Sequence, residues 1–422
     1  VVIDSTGRAD DPWQRRWTWD RPFAPRWLLV GSTGTPQFPG DDALGLCADI
    51  EGLFVDLPPR RRERFTLLGC APDGALARVL DAMDAGAAEP EGAWLGDLEL
   101  SAAPDSPAAW GWIGERLVDL TVMGHRPSPT SPEHVDIDLE GLVDVHDRTE
   151  EISRPNDVTP FVLTGSDDAP CGTCADITGV FRESAEPPIP HVTLVGCRPE
   201  PPLLTAIAAV HQTTKAGLRR RRVSADVAAV AADGSAVRLV EGVVSGTLVS
   251  SVPSALGAGL VEVTIASEPR EPRPAGTRGI LDLWFNGRPA ERNLWARYDR
   301  ALRLEWAGVA LAHRRRDSPD RPAGTVFHLD GRFVTDVEGF YCAIGEAVNG
   351  PGGYFGWNLD ALHDCLTGGF GATAPFRLVW RDSAVARRYL VAGHDRRRHA
   401  PAVTYETLVE ILTSHGVAIE PR

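Results

Sequence analysis

Two carboxylates, Asp360 and Asp364, stand four residues apart in a stretch, Tyr354 to Gly371, that holds no lysine or arginine. On a helix that spacing puts both on one edge, where like charges oppose each other by about 0.2–0.5 kcal/mol. Asp360 recovers part of this near the positive helix N-terminus, while Asp364, a turn further on, gains little. A pair left in that condition is relieved by a cationic partner. Competing chemistry is weak elsewhere. Cys171-Gly172-Thr173-Cys174 has the spacing of a zinc or redox pair, but no second such pair completes four ligands. The 11 histidines are scattered, without HExxH, GxSxG or GxxxxGK[ST] spacing. The expectation is therefore no catalytic residue, no metal ligand and no cofactor, in a protein that is not an enzyme.

Those acids need a rigid support, and the local pattern supplies one. Asn358 is a helix cap, Leu359, Leu362 and Leu366 fall on one side at core spacing, and Gly368 and Gly369 close the helix. A glycine-rich loop, Asn349 to Gly356, precedes it. Before that loop, Asp336 caps a helix whose apolar face is Val337, Phe340, Tyr341, Ile344 and Val348. Strands are expected at Thr325–Leu329, Phe376–Trp380 and Val417–Ile419, with helices near 382–391 and 404–415. Strands separated by helices predict an α/β domain with a small, mainly parallel three-stranded sheet.

The run Tyr354-Phe355-Gly356-Trp357-Asn358-Leu359-Asp360-Ala361-Leu362-His363-Asp364-Cys365-Leu366-Thr367-Gly368 resembles the inhibitor segment of the barstar family of ribonuclease inhibitors. The resemblance covers about 325–420. It implies that the helix and its loop plug the cleft of a basic, extracellular-type (barnase-like) ribonuclease, the acids standing in for substrate phosphates. The implied partner-binding residues are Tyr354, Phe355, Gly356, Asn358, Leu359, Asp360, His363 and Asp364. His363 replaces a family aromatic, Gly369 replaces a tryptophan with Phe370 one place later, and Ile411 replaces a glutamate, Glu410 being adjacent. The implied function is that of an immunity protein; a non-inhibitory scaffold recruiting a basic partner is the alternative.

The rest of the 422 residues is too long for one small module. Acidic side chains outnumber basic ones 58 to 43, and a net charge of −15 repels nucleic acid, so direct binding to it is not expected. No apolar run reaches the roughly 18 residues of a membrane span, and the first residues lack a signal-peptide core, so no membrane association and a cytoplasmic location with reduced thiols are expected. Cys47-Ala48-Asp49-Ile50 returns as Cys174-Ala175-Asp176-Ile177, and Phe65-Thr66-Leu67-Leu68-Gly69-Cys70 as Val192-Thr193-Leu194-Val195-Gly196-Cys197. Cys47 to Cys174 and Phe65 to Val192 are both 127 positions apart. The expected order is an N-terminal extension (1–24), an α+β repeat unit (25–130), an acidic linker (131–159), a second α+β unit (160–275), a connecting segment (276–324) and the C-terminal domain (325–422).

Overall fold

Alternation of apolar and polar residues lines one face of a strand with side chains for a core, as where Val192 and Leu194 are buried and Thr193 between them is half-buried. The computed structural model describes residues 11–20, 23–31, 42–86, 92–103, 114–129, 131–144, 160–165, 168–181, 190–267, 272–314 and 319–422. A first series comprises β1 (Trp27–Gly31), β2 (Ala43–Glu51), β3 (Glu63–Pro72), α1 (Gly74–Asp84), β4 (Ala93–Ala102), β5 (Glu115–Ser128) and β6 (Ser131–Val143). A second comprises β7 (Phe161–Gly165), β8 (Pro170–Cys174), β9 (Asp176–Thr178), β10 (Val192–Pro199), α2 (Pro201–Ala208), α3 (Lys215–Arg220), β11 (Arg222–Val230), β12 (Ala236–Pro253) and β13 (Val261–Ser267).

These strands do not build two successive α+β units. Strands β1-β11-β12-β13-β10-β2 close into one antiparallel barrel. A second sheet runs β6-β5-β4-β7-β8-β3-β9, and pairing of β3 with β6 returns it on itself. Each ring thus combines the leading strands of one series with the last four of the other, as where Cys47 of β2 faces Cys197 of β10. The expected boundaries fail for a physical reason. Two series with the same alternation offer interchangeable pairing edges, and alternation specifies a strand's faces without specifying its partner. The helices are minor elements of these β-rich barrels, and the compact units follow the rings. One takes in the described residues within 1–57, 190–391 and 403–422; the other those within 58–189 and 392–402.

Three further expectations are corrected. Residues 131–143, read as acidic linker, are β6: Ile137, Leu139 and Val143 are buried, while Asp138 accepts from Thr66 Oγ1 at 2.8 Å and from Arg126 at 2.7 Å. Acids at every second position are one face of a strand, not a solvated coil. The remainder of that acidic run, from 145, lies outside the described residues. The segment 11–20 is no free extension, since Trp17 is buried and packs with Leu28, Val30 and Leu46.

Finally, 276–324 is more than a connection. It contains α4 (Thr277–Trp284), a 3-10 turn at Leu294–Arg297 and α5 (Arg300–Ala312). Trp284, Trp295 and Trp306 are all buried, with Trp284 edge-on to Trp306 at 4.4 Å. Residues 315–318 of this segment lie outside the described residues.

The C-terminal elements are β14 (Val326–Asp330), α6 (Val337–Asn349), α7 (Leu359–Thr367), β15 (Arg377–Arg381), α8 (Ser383–Tyr389), β16 (His394–Asp395), β17 (Ala400–Pro401), α9 (Tyr405–Ser414) and β18 (Ala418–Pro421). β14, β15 and β18 form a parallel three-stranded sheet in that order, as expected. Asp336 caps α6 by accepting from Gly339 N at 2.7 Å. Its other oxygen takes Arg303 of α5 at 2.6 Å, so one carboxylate both starts a helix and ties it to the preceding segment. The small hairpin β16–β17, although it follows α8 in the chain, belongs to the second compact unit. Among the described residues no helix is long and apolar enough to cross a membrane.

Candidate partner-binding site

Local sequence explains α7 closely. Asn358 is extended at φ −148° and accepts from Ala361 N at 2.7 Å, satisfying one of the free donors of the first turn. Leu362, Cys365 and Leu366 are buried and Leu359 is half-buried, while Asp360 and Asp364 are exposed. Gly356 enters the helix at φ +101°, where a Cβ would stand 3.0 Å from Leu362 Cα, so only glycine fits. Gly368, at φ +115°, ends it. Neither Asp360 nor Asp364 forms an ion pair with a described residue. Arg314, the cation whose charge reaches Tyr354 and Cys365, is engaged elsewhere: it stacks on Phe370 with its guanidinium 4.0 Å from the ring centroid.

The loop before the helix has a different fate. Phe355 is fully buried, edge-on to Phe376 at 6.3 Å, and Tyr354 is 5% exposed against Phe370. Burial pushes the Tyr354 phenol well above its ordinary value. Gly356 is buried too. These three expected contact residues are therefore internal in this structure, because bulky aromatics beside a glycine-rich turn find a core close at hand. Arg288 holds the turn from outside, donating to the carbonyls of Asn349 and Pro351 at 2.5 Å each and of Gly350 at 2.9 Å. Trp284 and Pro289 lie against Gly352, and Trp357 lies against Gly308 of α5. Asn349 donates to Tyr354 O and Phe370 O, both at 2.8 Å, closing the turn from within.

What remains outward is a narrower surface than expected: Asn358, Asp360 and Asp364 exposed, with Leu359 and His363 half-buried beside them. Asn358 already spends its side-chain oxygen on the cap. His363 pairs with His415, Nδ1 to Nε2 at 3.3 Å, in the place of the family aromatic. Ile411 is half-buried and Glu410 exposed. Sequence reasoning missed Arg288 and Trp284, since nothing local marks which distant side chain will cover a turn.

Asp320 anchors the other side of the site. Burial acts to raise its carboxyl, but donors from Thr373 Oγ1 (2.5 Å) and from Gly369 N and Gly371 N (2.7 Å each) outweigh it and hold the group below its ordinary value. Beside the loop, Arg288, His313, Arg314, Arg321, Tyr354 and Phe370 help line a cavity of about 240 Å³. Burial lowers the pKa of His313, partly offset by its hydrogen bond to Val309 O.

A parallel three-stranded sheet carrying an Asn-capped acidic helix after a glycine-rich turn defines a small α/β domain of distinct type. Residues 324–413 match the protein-family model described as Barstar (barnase inhibitor), which makes this C-terminal region a barstar-family domain. Searches of curated proteins and of solved structures return no match.

Proposed function

We propose that the barstar-family domain binds a basic, barnase-like ribonuclease and occludes its active site, so that the chain serves in the cytoplasm as an immunity protein. The single observation that carries this reading is the exposed Asp360–Asp364 edge with no ionic partner among the described residues. Like charges kept one turn apart without a counter-ion oppose the helix that bears them, and a cationic cleft reverses that sign. A net charge of −15 adds long-range attraction toward a basic enzyme and makes association fast and salt-dependent. Contact is assigned to Asn358, Leu359, Asp360, His363 and Asp364, because Tyr354 and Phe355 are turned inward.

That inward turn favours a second reading, recruitment without inhibition, in which the helix edge docks a basic protein while the loop stays on its own chain. Titration of the full chain into a panel of basic ribonucleases, following both binding and RNA cleavage, tests the two. Tight binding with loss of cleavage supports inhibition. Binding with cleavage intact selects recruitment, and no binding to any member overturns both.

A further inference from the structure

A separate set of side chains is assembled wholly within the second compact unit. Asp97 of β4, His394 of β16 and His399 in the turn before β17 each present one ligand atom, and the three atoms lie within 4.8 Å of one another. The site is built rather than superficial. The Asp97 side chain is 1% exposed and that of His394 10%. Asp97 Oδ2 accepts from Arg116 Nη2 at 2.8 Å and Oδ1 from Asp119 N at 3.0 Å, which fixes the carboxylate. His394 Nε2 lies 3.8 Å from Asp97 Oδ1, beyond hydrogen-bond range. Both His394 Nε2 and His399 Nδ1 are buried nitrogens without a hydrogen-bond partner. Buried polar atoms are nearly always satisfied, so two orphaned imidazole nitrogens beside one buried carboxylate point to a shared ligand.

The surroundings orient these donors. Trp94 packs on the His394 ring with centroids 4.9 Å apart, and Arg116 Nη2 also donates to His399 O at 3.0 Å, tying carboxylate and hairpin together. His399 is held at φ +47°, a strained backbone position for a non-glycine residue. Asp119 and Asp144 stand near enough to balance the cations close by, through Arg396–Asp119 at 3.2 Å and Arg116–Asp144 at 3.5 Å. Zinc bonds to imidazole and carboxylate of about 2.0–2.1 Å place tetrahedral ligand atoms about 3.3 Å apart, so the 3.8 Å contact needs to close by about half an ångström and separations within the 4.8 Å limit by at most about 1.5 Å. Two imidazoles and one carboxylate suit zinc and its first-row neighbours, whereas magnesium and calcium favour all-oxygen sets.

We propose that Asp97, His394 and His399 form a zinc-class divalent metal site, with water in the fourth position, that staples the 392–402 hairpin to the barrel of its unit. The test uses the full chain after dialysis against a chelator, titrated with Zn²⁺ by calorimetry and with Co²⁺ by visible absorption. One Zn²⁺ per chain is expected, with Co²⁺ bands of four-coordinate intensity, both weakened more than about tenfold in His394→Gln and in His399→Ala. His211→Ala, which removes an exposed histidine outside the cluster, should leave both unchanged. Circular dichroism confirms that the variants fold. No stoichiometric Zn²⁺ binding at micromolar concentration, or binding that survives both histidine substitutions, overturns the proposal.

Discussion

Replacing Asp364 by alanine separates a binding role from a structural one by sign. In the free protein its side chain is exposed, has no ion pair with a described residue and sits one turn from Asp360. Removing it relieves like-charge repulsion of about 0.2–0.5 kcal/mol and exchanges aspartate for the best helix former, worth up to about 0.7 kcal/mol more. The hydrogen bond from Thr367 Oγ1 goes to the Asp364 backbone carbonyl and is kept. Thermal stability should therefore hold or rise slightly. In a complex with a cationic cleft the same carboxylate is desolvated against an arginine or lysine, and truncating one member of such a pair costs about 2–5 kcal/mol. At about 1.4 kcal/mol per decade, Kd should rise from about 30-fold to several thousandfold. Calorimetry gives Kd, and stopped-flow fluorescence at several ionic strengths gives the association rate, whose salt dependence should flatten in the variant. A variant that binds its ribonuclease within about threefold of the parent, or that melts several degrees lower, would refute the reasoning.

Arg303→Ala leaves Asp336 half-buried without its cation and should destabilise the first unit by about 3–5 kcal/mol, measured by urea unfolding. Arg288→Ala removes three donors from the turn at 349–351, and amide hydrogen exchange in Gly350–Gly353 should accelerate while that of β15 does not. The hydrogen bonds of Arg332 hold the Asp330 carboxyl down at about 2, against about 3.9 in an unfolded chain. A depressed acid contributes stability that is present above about pH 4 and is lost as pH falls toward 2, so Arg332→Ala should shrink the stability difference between pH 5 and pH 2.5.

The C-terminal domain was largely legible because its signals are local. A cap and the donor it satisfies lie three residues apart, as with Asn358 and Ala361 or Asp336 and Gly339. The apolar positions of α7 repeat within two turns, and its exposed acids follow from the same periodicity. The loop aromatics were misplaced for the opposite reason. Whether Phe355 faces solvent or Phe376 depends on a strand more than 20 positions away, and whether the turn is free depends on Arg288, more than 60 positions upstream. The acidic run at 133–144 deceived in another way, since charge density masked a period of two that places Ile137 and Leu139 inside a barrel.

By itself the amino-acid sequence determined the C-terminal strands, the capped helices and the acidic edge, each an outcome of spacing within a few residues. Tertiary structure alone decided which strands close each ring, that the aromatic loop turns inward, and that Asp97 meets His394 and His399 across about 300 positions. Periodicity specifies which face of an element is apolar, whereas the identity of the covering surface is set only when all such faces compete for burial at once.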